Sequence, residues 1–540
     1  MAGLALVQNE PGMEAPLTPL EFARRARKVY PEREAVVDGA LRLTYEGFFS
    51  RCDKWSAVLQ RLGVRRGDRV AYISPNTHKH LESFYAVPQI GAVLVPINFR
   101  LAANELEYII NHCGAVAVCA DSGQLEAVDA IRPKLAHVRH FVALEETKSL
   151  EKTSGGWLDY EPLLTAETGS FEPAPIDERD VLTINYTSGT TSRPKGVMIT
   201  HRNAYINSVG TLIHVPMTCA DRYLWTLPMF HANGWTFTWT VTAVGAAHIC
   251  LRKVDPARIF DLIHSESITM LCAAPAVLIA LANAPVNVRQ RSQTKVRVVT
   301  AGAPPAAATI QRVEDELGWH LIQVYGLTET SPFITVCESR PAHEQMSSEE
   351  RCRIKARQGV ELIPSGEVRV IGESGQEVPC DGRTLCEIVV RGNAVMQGYY
   401  NDPEATDAAF AGGWFHSGDA AVVHPDGYVE IRDRFKDVII SGGENISSVE
   451  VEGVLLDHPA VVEAAVVGVP DATWGEVPHA FVVLRPGIPV TEQELRDFVR
   501  SRLAHFKAPR DVSFVPELPR TATGKTQKYV LRGGRSAIGR

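Results

Sequence analysis

Short apolar runs alternate with amphipathic segments along the chain up to about residue 300. Buried strands are expected at Arg69–Ser74, Ala92–Pro96, Val116–Ala120, Ile268–Cys272 and Val296–Thr300. Helices are expected at His80–Ile90, Glu105–His112 and Ala276–Leu281, the second with Asn104 as its N-cap. Because strands and helices alternate in this way, we predict parallel sheets covered by helices.

The pattern changes after about residue 360, where short alternating strands are separated by Gly and Asp turns. Strands are expected at Gly366–Ile371, Cys386–Arg391 and Gly427–Ile431, followed by a charged segment at residues 433–437. Beyond it lie the expected helices Ser448–Leu456 and Thr491–Leu503 and the strands Val461–Val469 and Ala480–Leu484. We therefore predict an N-terminal domain over residues 1–433, a hinge over 434–437 and a C-terminal domain over 438–540.

Composition narrows the class of protein. The chain has 540 residues, of which 45% are hydrophobic and 22% charged, and this excludes wholesale disorder, collagen and coiled coil. A net charge of -8 argues against a general nucleic-acid partner. The ten cysteines include no CxxC pair, which favours reduced thiols. We expect no membrane span and a cytoplasmic location, because the sequence contains neither a signal-peptide pattern nor about 18 uninterrupted apolar residues.

The strongest chemical signal is the segment YTSGTTSRPKG at Tyr186–Gly196, between expected strands at Val181–Asn185 and Val197–Thr200. Glycine and small hydroxyl residues present several backbone N–H groups and hydroxyls to one point, which suits a phosphate, and Lys195 adds positive charge. The residues on either side of this lysine differ from a Walker A loop. A solvated polar hairpin is the alternative interpretation.

This segment resembles the phosphate loop of the adenylate-forming superfamily, which includes acyl-CoA synthetases, adenylation domains of peptide synthetases and firefly luciferase. Seven further motifs of the superfamily follow in the same order, over nearly the whole chain. They are Pro228-Met229-Phe230-His231, Gly302-Ala303-Pro304-Pro305, Tyr325-Gly326-Leu327-Thr328-Glu329-Thr330, Gly413-Trp414-Phe415-His416-Ser417-Gly418-Asp419, Asp433-Arg434-Phe435-Lys436-Asp437, Ser441-Gly442-Gly443-Glu444-Asn445-Ile446 and Pro519-Arg520-Thr521-Ala522-Thr523-Gly524-Lys525. Chance does not explain so many motifs in order.

The resemblance implies an α/β fold: a large AMP-binding domain of mixed and parallel sheets flanked by helices, with a β-barrel-like subdomain, and a small mobile α+β C-terminal domain. It implies an AMP-forming acyl-CoA synthetase that uses ATP, Mg²⁺ and CoA. A carboxylate attacks the α-phosphate of ATP, pyrophosphate leaves, and CoA then takes the acyl group and releases AMP. The partners are these small molecules, with neither nucleic acid nor membrane, and a homodimer is left open.

The resemblance also assigns the nucleotide site. The implied ATP- and AMP-binding residues are Thr187, Ser188, Gly189, Thr190, Thr191, Lys195, Gly302, Ala303, Pro304, Gln323, Tyr325, Gly326, Thr328, Asp419 and Arg434. Glu329 would ligate Mg²⁺, and Thr328 would contact the α-phosphate. The structural interpretation of these two residues is a strand-to-helix turn with Thr328 as its N-cap and Glu329 in the first turn, and it is compatible with both roles.

Two further groups of residues are implied for catalysis and CoA binding. Lys525 would bridge the substrate carboxylate and the α-phosphate during adenylation. Rotation of the small domain about a hinge at Lys436 would then withdraw this lysine. The CoA tunnel brought to the site would be formed by Ser441, Gly442, Gly443 and Glu444.

The implied acyl pocket contains His231, Trp235, Thr300, Ala301, Gly302, Gly326 and Pro332. His231 is a candidate base, although gating or positioning fits it better. No lysine or arginine belongs to this set, so an apolar acyl or aryl tail fits better than a dicarboxylate. Ser192 replaces a glycine of many relatives. That variant resembles ligases for medium-chain, branched, aryl and methylthio-alkanoate acids, and short- to medium-chain acids are therefore expected.

Three alternatives remain open. The first is an adenylating enzyme that hands the acyl group to a carrier protein, although we see neither the usual insertion nor a following carrier domain. The second is a luciferase-type oxygenase, which the resemblance to short-acyl ligases disfavours. The third is a nucleotide-binding protein without catalysis, for which loss of Lys525 or Glu329 would have been the sign.

Overall fold

The computed structural model describes residues 14–145, 156–187, 193–289, 295–372, 374–434, 437–442, 444–471, 473–520 and 526–533. The strands in these ranges, numbered here in chain order, form four sheets. Helices of seven or more residues span Leu20–Val29, Tyr45–Arg61, His78–Ala86, Ala103–Cys113, Leu125–Ile131, Tyr160–Ala166, His201–His214, Phe237–Val244, Pro256–Ser265, Pro275–Ala282, Ala307–Leu317, Ser348–Lys355, Pro403–Ala409, Ser448–Leu456 and Glu492–Arg500. Shorter helical segments lie at Ala232–Trp235 and Lys528–Gly533.

Sheet I confirms the predicted parallel arrangement. Its described strands, in spatial order, are β19 (Gly398–Tyr399), β9 (Lys195–Thr200), β8 (Val181–Thr187), β4 (Val93–Ile97), β3 (Arg69–Ile73), β5 (Ala115–Ala120), β6 (His140–Ala143) and β7 (Leu158–Asp159). Strand β3 pairs in parallel with both β4 and β5, whereas β8 and β9 form an antiparallel hairpin. The apolar runs of the central strands are buried because helices cover the sheet.

Sheet II is parallel at its centre as well. Its described strands, in spatial order, are β16 (Val360–Glu361), β15 (Phe333–Val336), β14 (His320–Gly326), β13 (Arg297–Thr300), β12 (Met270–Ala273), β10 (Arg222–Leu224), β11 (Ala247–Ile249), β1 (Glu34–Asp38) and β2 (Leu41–Thr44). Strands β12, β13 and β14 run parallel, so their carboxyl ends reach one edge together. That edge carries Thr300, Gly302 and Tyr325.

The antiparallel segment predicted after residue 360 forms Sheet III. Its described strands, in order, are β17 (Glu367–Ile371), β18 (Cys386–Arg391), β20 (Phe415–Val423) and β21 (Val429–Arg434). One continuous cluster of buried side chains joins it to the first two sheets, with Leu94 from Sheet I, Val324 from Sheet II and Val390 from Sheet III. The three sheets therefore share a core.

Sheet IV contains strands from the C-terminal part of the chain. Its described strands are β23 (Glu444–Ile446), β22 (Ile439–Ser441), β25 (Gly475–Leu484) and β24 (Val461–Asp471), with β26 (Asp511–Phe514) beside β25. Two clusters of buried side chains belong to this part, one around Ile439 and Val466 and the other around Val467 and Phe481. The predicted boundaries at residues 433 and 438 stay predictions.

Two local expectations need correction. Asn104 is not an N-cap: the helix begins at Ala103, and the Ala102 N–H donates to Glu105 Oε2 at 2.9 Å. The helix expected to reach Ile90 ends at Ala86, and a 3-10 turn follows at Pro88–Ile90. Proline at that position cannot donate the next helical hydrogen bond.

All ten cysteines lie in the described ranges as free thiols, in agreement with the expectation. Across the residues described, no helix combines the length and the apolar character needed to cross a membrane.

Candidate active site

The phosphate loop predicted from the sequence connects β8 and β9. Thr187 at the end of β8 pairs with Lys195 at the start of β9, so the hairpin brings the two ends of the loop together. The Lys195 ammonium lies 4.7 Å from the centroid of the Tyr399 ring. Ser188, Gly189, Thr190 and Thr191 lie outside the described residues.

Tyr399 joins Lys195 to Glu329, and sequence reasoning missed it. Its phenol donates to Glu329 Oε1 at 3.0 Å. Strand β19 carries this tyrosine alongside β9, and the Met396 N–H donates to the Glu329 carbonyl at 2.7 Å. No pattern in the sequence distinguishes this tyrosine from Tyr400, because its contacts come from distant segments. Burial and the neighbouring Glu329 raise the pKa of Tyr399, so the phenol keeps its proton near neutral pH.

Thr328 and Glu329 lie in a single 3-10 turn, Thr328–Thr330, directly after β14. Thr328 is not an N-cap, because the 3-10 turn begins at Thr328 itself and Leu327 occupies the N-cap position. Gly326 permits a close approach at this point: a Cβ there would lie 1.7 Å from the Pro332 carbonyl oxygen. Thr328 is buried and Glu329 is half-buried.

Three predicted nucleotide residues meet where β14, β20 and β21 come together. The Tyr325 phenol donates to Asp419 Oδ2 at 2.7 Å, and Arg434 Nε lies 3.2 Å from Asp419 Oδ1. Burial and the Asp419 carboxylate raise the pKa of Tyr325 well above its usual range. Burial lowers the pKa of Arg434, but the neighbouring acidic groups, led by Asp419, together outweigh it and the net shift is upward. The Asp419 carboxylate is thus held in one orientation, in which it is available to the hydroxyl groups of a ligand.

Gln323 and Thr300 occupy neighbouring positions on β14 and β13. In the described structure, Gln323 Oε1 and Thr300 Oγ1 are buried without a hydrogen-bond partner. Buried polar atoms are rarely left unsatisfied, so a ligand with donors and acceptors on its edge fits this place. Both residues lie close in sequence to the expected adenine-binding residues Gly302 and Tyr325.

A cavity of about 120 Å³ lies between the large domain and the C-terminal segment. Its lining from the large domain is mostly small or apolar and consists of Leu227, His231, Trp235, Ala274, Pro275, Ala276, Ile279, Ala301, Gly302, Ala303 and Pro304. The C-terminal side supplies Glu452, Leu456, Glu463, Ala464, Leu518, Arg520 and Thr526. The expected acyl-pocket residues His231, Trp235, Ala301 and Gly302 are thus brought together, whereas Thr300, Gly326 and Pro332 are not in this lining.

His231 and Trp235 are presented by a left-handed turn. All five residues from Ala232 to Thr236 have positive φ, although only Gly234 is glycine. The buried Asn233 anchors the turn to β8: its Nδ2 donates to Thr183 Oγ1 at 2.9 Å, and its Oδ1 accepts from Asn185 Nδ2 at 3.1 Å. Left-handed backbone costs about 1 kcal/mol or more per non-glycine residue, so these hydrogen bonds offset a real strain.

The C-terminal segment meets β21 through a buried polar network. The Ser448 N–H donates to Asp433 Oδ2 at 2.8 Å, and the Ser448 hydroxyl contacts both Asp433 and Lys528. Lys528 Nζ lies 2.8 Å from Glu452 Oε1. Burial lowers the pKa of Lys528, but Glu452 and Asp433 outweigh it and the net shift is upward, so this lysine is charged.

The remaining predicted residues belong to the C-terminal part. Ser441 and Glu444 face each other in the hairpin of β22 and β23. Gly442 has φ of +60° and its N–H donates to the Trp474 carbonyl at 2.8 Å. Lys436, Gly443 and Lys525 lie outside the described residues. Arg520 and Thr526, on either side of residues 521–525, pair with each other and line the cavity.

The family model for the AMP-binding enzyme matches residues 22–400, and that for the AMP-binding enzyme C-terminal domain matches residues 450–525. The chain belongs to the family of AMP-binding enzymes. It is 43% identical to 4-hydroxybutyrate–CoA ligase 2 of Metallosphaera sedula, over 96% of this chain and 94% of that protein. It is 42% identical to 2-methylpropanoate–CoA ligase CCL4 of Humulus lupulus, over 97% of this chain and 96% of that one.

Among solved structures of AMP-binding enzymes, the anthranilate CoA ligase AuaEII in complex with anthranoyl-AMP superposes with a TM-score of 0.87 at 25% identity. The match covers 96% of this chain and 98% of that one. The predicted organisation, a large N-terminal α/β domain followed by a smaller C-terminal domain, is thereby confirmed. The chain is an AMP-forming acid–thiol ligase, that is, an acyl-CoA synthetase, and uses ATP and CoA.

Proposed function

We propose that this ligase activates short- to medium-chain or related apolar carboxylic acids, aryl and methylthiopropionate-type acids included. The cavity carries this proposal, because the described residues that line it from the large domain include no lysine or arginine. On the C-terminal side, the charges face each other: Arg520 Nη2 lies 2.8 Å from Glu463 Oε1, and Lys528 pairs with Glu452. An apolar tail avoids the desolvation cost that a second carboxylate would carry here. The names of the relatives point to acids of this size.

In adenylation, the residues of the chain gather phosphate charge and hold the nucleotide. Thr187 and Lys195, together with residues 188–191, bind the β- and γ-phosphates, and Thr328 contacts the α-phosphate. Asp419 accepts the ribose hydroxyls, while Tyr325 and the Gly302–Pro304 segment enclose adenine. Gln323 reads the base edge, which would satisfy its buried oxygen. His231 and Trp235 border the acyl group.

Glu329 is the residue that would hold Mg²⁺, and the ion would neutralise charge on the phosphate oxygens. Among the described residues no group of three or more His, Cys, Asp or Glu side chains is arranged to hold a metal ion. One protein carboxylate suits Mg²⁺ at a nucleotide site, because this ion takes one or two carboxylates and completes its shell with phosphate and water. The carboxylate of Glu329 is half-buried and oriented by Tyr399.

Lys525 bridges the substrate carboxylate and the α-phosphate, which offsets the repulsion between two anions. The positions of Arg520 and Thr526 in the cavity lining support this assignment. Rotation of residues 438–540 about Lys436 then brings Ser441, Gly442, Gly443 and Glu444 to the site for CoA. The domain boundaries, the cytoplasmic location and the homodimer remain predictions.

The deciding experiment is mass spectrometry of the products from ATP, Mg²⁺ and a panel of acids, with and without CoA. The panel runs from acetate to laurate and adds benzoate, cinnamate and methylthiopropionate. One preferred acyl-CoA is the expected result. Preference for a dicarboxylate would overturn the apolar assignment, and acyl-AMP without thioester would favour a carrier protein as acceptor.

The two C-terminal motifs are assigned to different half-reactions: Lys525 to adenylate formation and Gly443 to thioester formation. Lys525→Ala is expected to abolish adenylate formation while leaving thioester formation from supplied acyl-AMP. Gly443→Leu is expected to do the reverse, because a side chain at this position obstructs the pantetheine arm. Equal loss of both half-reactions in either variant would contradict the assignment.

A further inference from the structure

Tyr399 contacts the two residues that carry opposite charge in the proposed ATP site. Its hydroxyl donates to Glu329 Oε1 at 3.0 Å, and its ring faces the Lys195 ammonium at 4.7 Å. A phenol fits both contacts, because an aromatic face attracts a cation while the hydroxyl donates to an anion. The Tyr399 side chain is half-buried, so solvent screens both contacts only in part.

The backbone around Tyr399 fixes this arrangement. Strand β19 pairs with β9 at Val197, and the Tyr400 N–H donates to the Gly196 carbonyl at 2.7 Å. Met396 lies three residues before Tyr399, and its N–H donates to the Glu329 carbonyl at 2.7 Å. One short segment therefore holds both the end of the phosphate loop and the turn that carries Glu329.

A lysine and a glutamate at the same site would ordinarily neutralise each other. Within the part of the chain that the structure describes, Lys195 and Glu329 form no ion pair with each other; each contacts Tyr399 instead. Their ion pair would have to break before the phosphates and Mg²⁺ could bind, and that cost would weaken binding. The contacts of Lys195 and Glu329 with the neutral phenol of Tyr399 are weaker than such an ion pair. They leave one carboxylate oxygen of Glu329 for a cation.

We propose that Tyr399 is a positioning residue for ATP: it holds Glu329 and Lys195 apart and oriented, so that both charges are available to Mg²⁺ and the phosphates. The proposal rests on the proposed function of Glu329 and Lys195. It concerns the ATP site alone, so thioester formation from supplied acyl-AMP does not require Tyr399.

The test uses Tyr399→Phe and Tyr399→Leu in the full-length enzyme. The first keeps the ring for Lys195 and removes the hydroxyl for Glu329; the second removes both. Binding of ATP is measured by the shift in thermal midpoint over a titration of Mg²⁺, and adenylation by pyrophosphate exchange. Tyr400→Phe is the matched control, because that phenol ring faces His112 at 6.0 Å instead of Glu329.

Tyr399→Phe is expected to raise the Mg²⁺ concentration for half-maximal binding about ten-fold, as for loss of a hydrogen bond to a charged group. Tyr399→Leu should in addition weaken ATP binding at saturating Mg²⁺, and thioester formation from acyl-AMP should persist in both. An unchanged Mg²⁺ dependence in Tyr399→Phe, or an equal fall of both half-reactions in both variants, would overturn the proposal. Glu329→Gln tests the Mg²⁺ role of Glu329 separately from the positioning role of Tyr399. An unchanged Mg²⁺ dependence in Glu329→Gln would overturn the assignment of Glu329 to the metal.

Discussion

At the scale of single residues, Asp419 is the group whose surroundings best define its role. Tyr325 and Arg434 engage its two oxygens before any nucleotide arrives, so its orientation does not depend on the ligand. Asp419→Asn replaces an acceptor oxygen with a donor and removes the charge that Arg434 faces. We expect the KM for ATP to rise about ten- to hundred-fold.

The KM for the carboxylate should change much less in Asp419→Asn, because the acyl group lies at the other end of the site. The exposed Asp426 pairs with Arg357 at 3.0 Å, and Asp426→Asn is the control for loss of an aspartate–arginine pair. Equal effects on the two substrates in Asp419→Asn would argue for a structural role.

Three buried histidines predict how stability depends on pH. Burial lowers the pKa of His248 to about 3 and that of His80 and His201 to about 4. In the unfolded chain these histidines are protonated near pH 6.5. Below that pH the unfolded chain binds protons that the native state does not, so stability decreases as the pH is lowered. Each histidine contributes a slope that approaches about 1.4 kcal/mol per pH unit between pH 6.5 and its native pKa.

The measurement is the thermal midpoint between pH 7 and pH 5. We expect a steep fall for the unaltered chain and a shallower one for His248→Gln, which removes one of the three groups. His264 is exposed, and His264→Gln should leave the slope as it is. A midpoint that does not change with pH, or equal slopes in all three proteins, would contradict this expectation.

At the scale of elements, regular periodicity gave reliable predictions. The helix Ser448–Leu456 has the predicted bounds, and β3 differs from its predicted strand by one residue. Both are contiguous in sequence, so local pattern suffices to find them. Tyr399 and Glu329 are 70 residues apart and Asn233 and Asn185 are 48 apart, so these contacts depend on tertiary structure that no local pattern records.

The left-handed turn from Ala232 to Thr236 depends on such contacts between distant residues. Asn233→Ala removes one hydrogen bond from each of the buried residues Thr183 and Asn185, which keep their hydrogen bond to each other, and it releases the strain in the turn. We expect the free energy of unfolding to fall by about 2 kcal/mol and the KM for the carboxylate to rise about ten-fold, with little change for ATP.

Steady-state kinetics with each substrate varied in turn, together with the thermal midpoint, checks the prediction for Asn233. Asn104→Ala, at an exposed position inside a helix, is the control and should have no effect on either constant. If Asn233→Ala lowered stability without changing the KM for the carboxylate, the turn would not position His231 and Trp235.

At the scale of the whole molecule, motifs that lie far apart in the sequence contribute to one cavity, which is lined by His231, Gly302, Ala303, Pro304 and Arg520 among others. The large-domain and C-terminal sides of the cavity meet in one place. The network around Lys528 could not be predicted, because Asp433 and Lys528 are 95 residues apart and its members resemble ordinary surface polar residues in the sequence.

That network crosses the predicted hinge. Asp433 precedes Lys436 and Ser448 follows it, so a rotation about the hinge must break or rebuild their contact. A contact present in one orientation and absent in another biases the equilibrium between them by its own free energy. Because Arg520 and Thr526 line the cavity here, we assign the network to the orientation that forms the adenylate.

Ser448→Ala keeps the backbone hydrogen bond to Asp433 and removes the hydroxyl that contacts Asp433 and Lys528. Adenylate formation is expected to slow about three- to ten-fold, while thioester formation from supplied acyl-AMP stays equal or becomes faster. Single-turnover assays of each half-reaction measure both. Ser513→Ala is the control, because that hydroxyl bonds His479 at 2.9 Å wholly within the C-terminal part. If both half-reactions slowed together in Ser448→Ala, the network would only stabilise the fold.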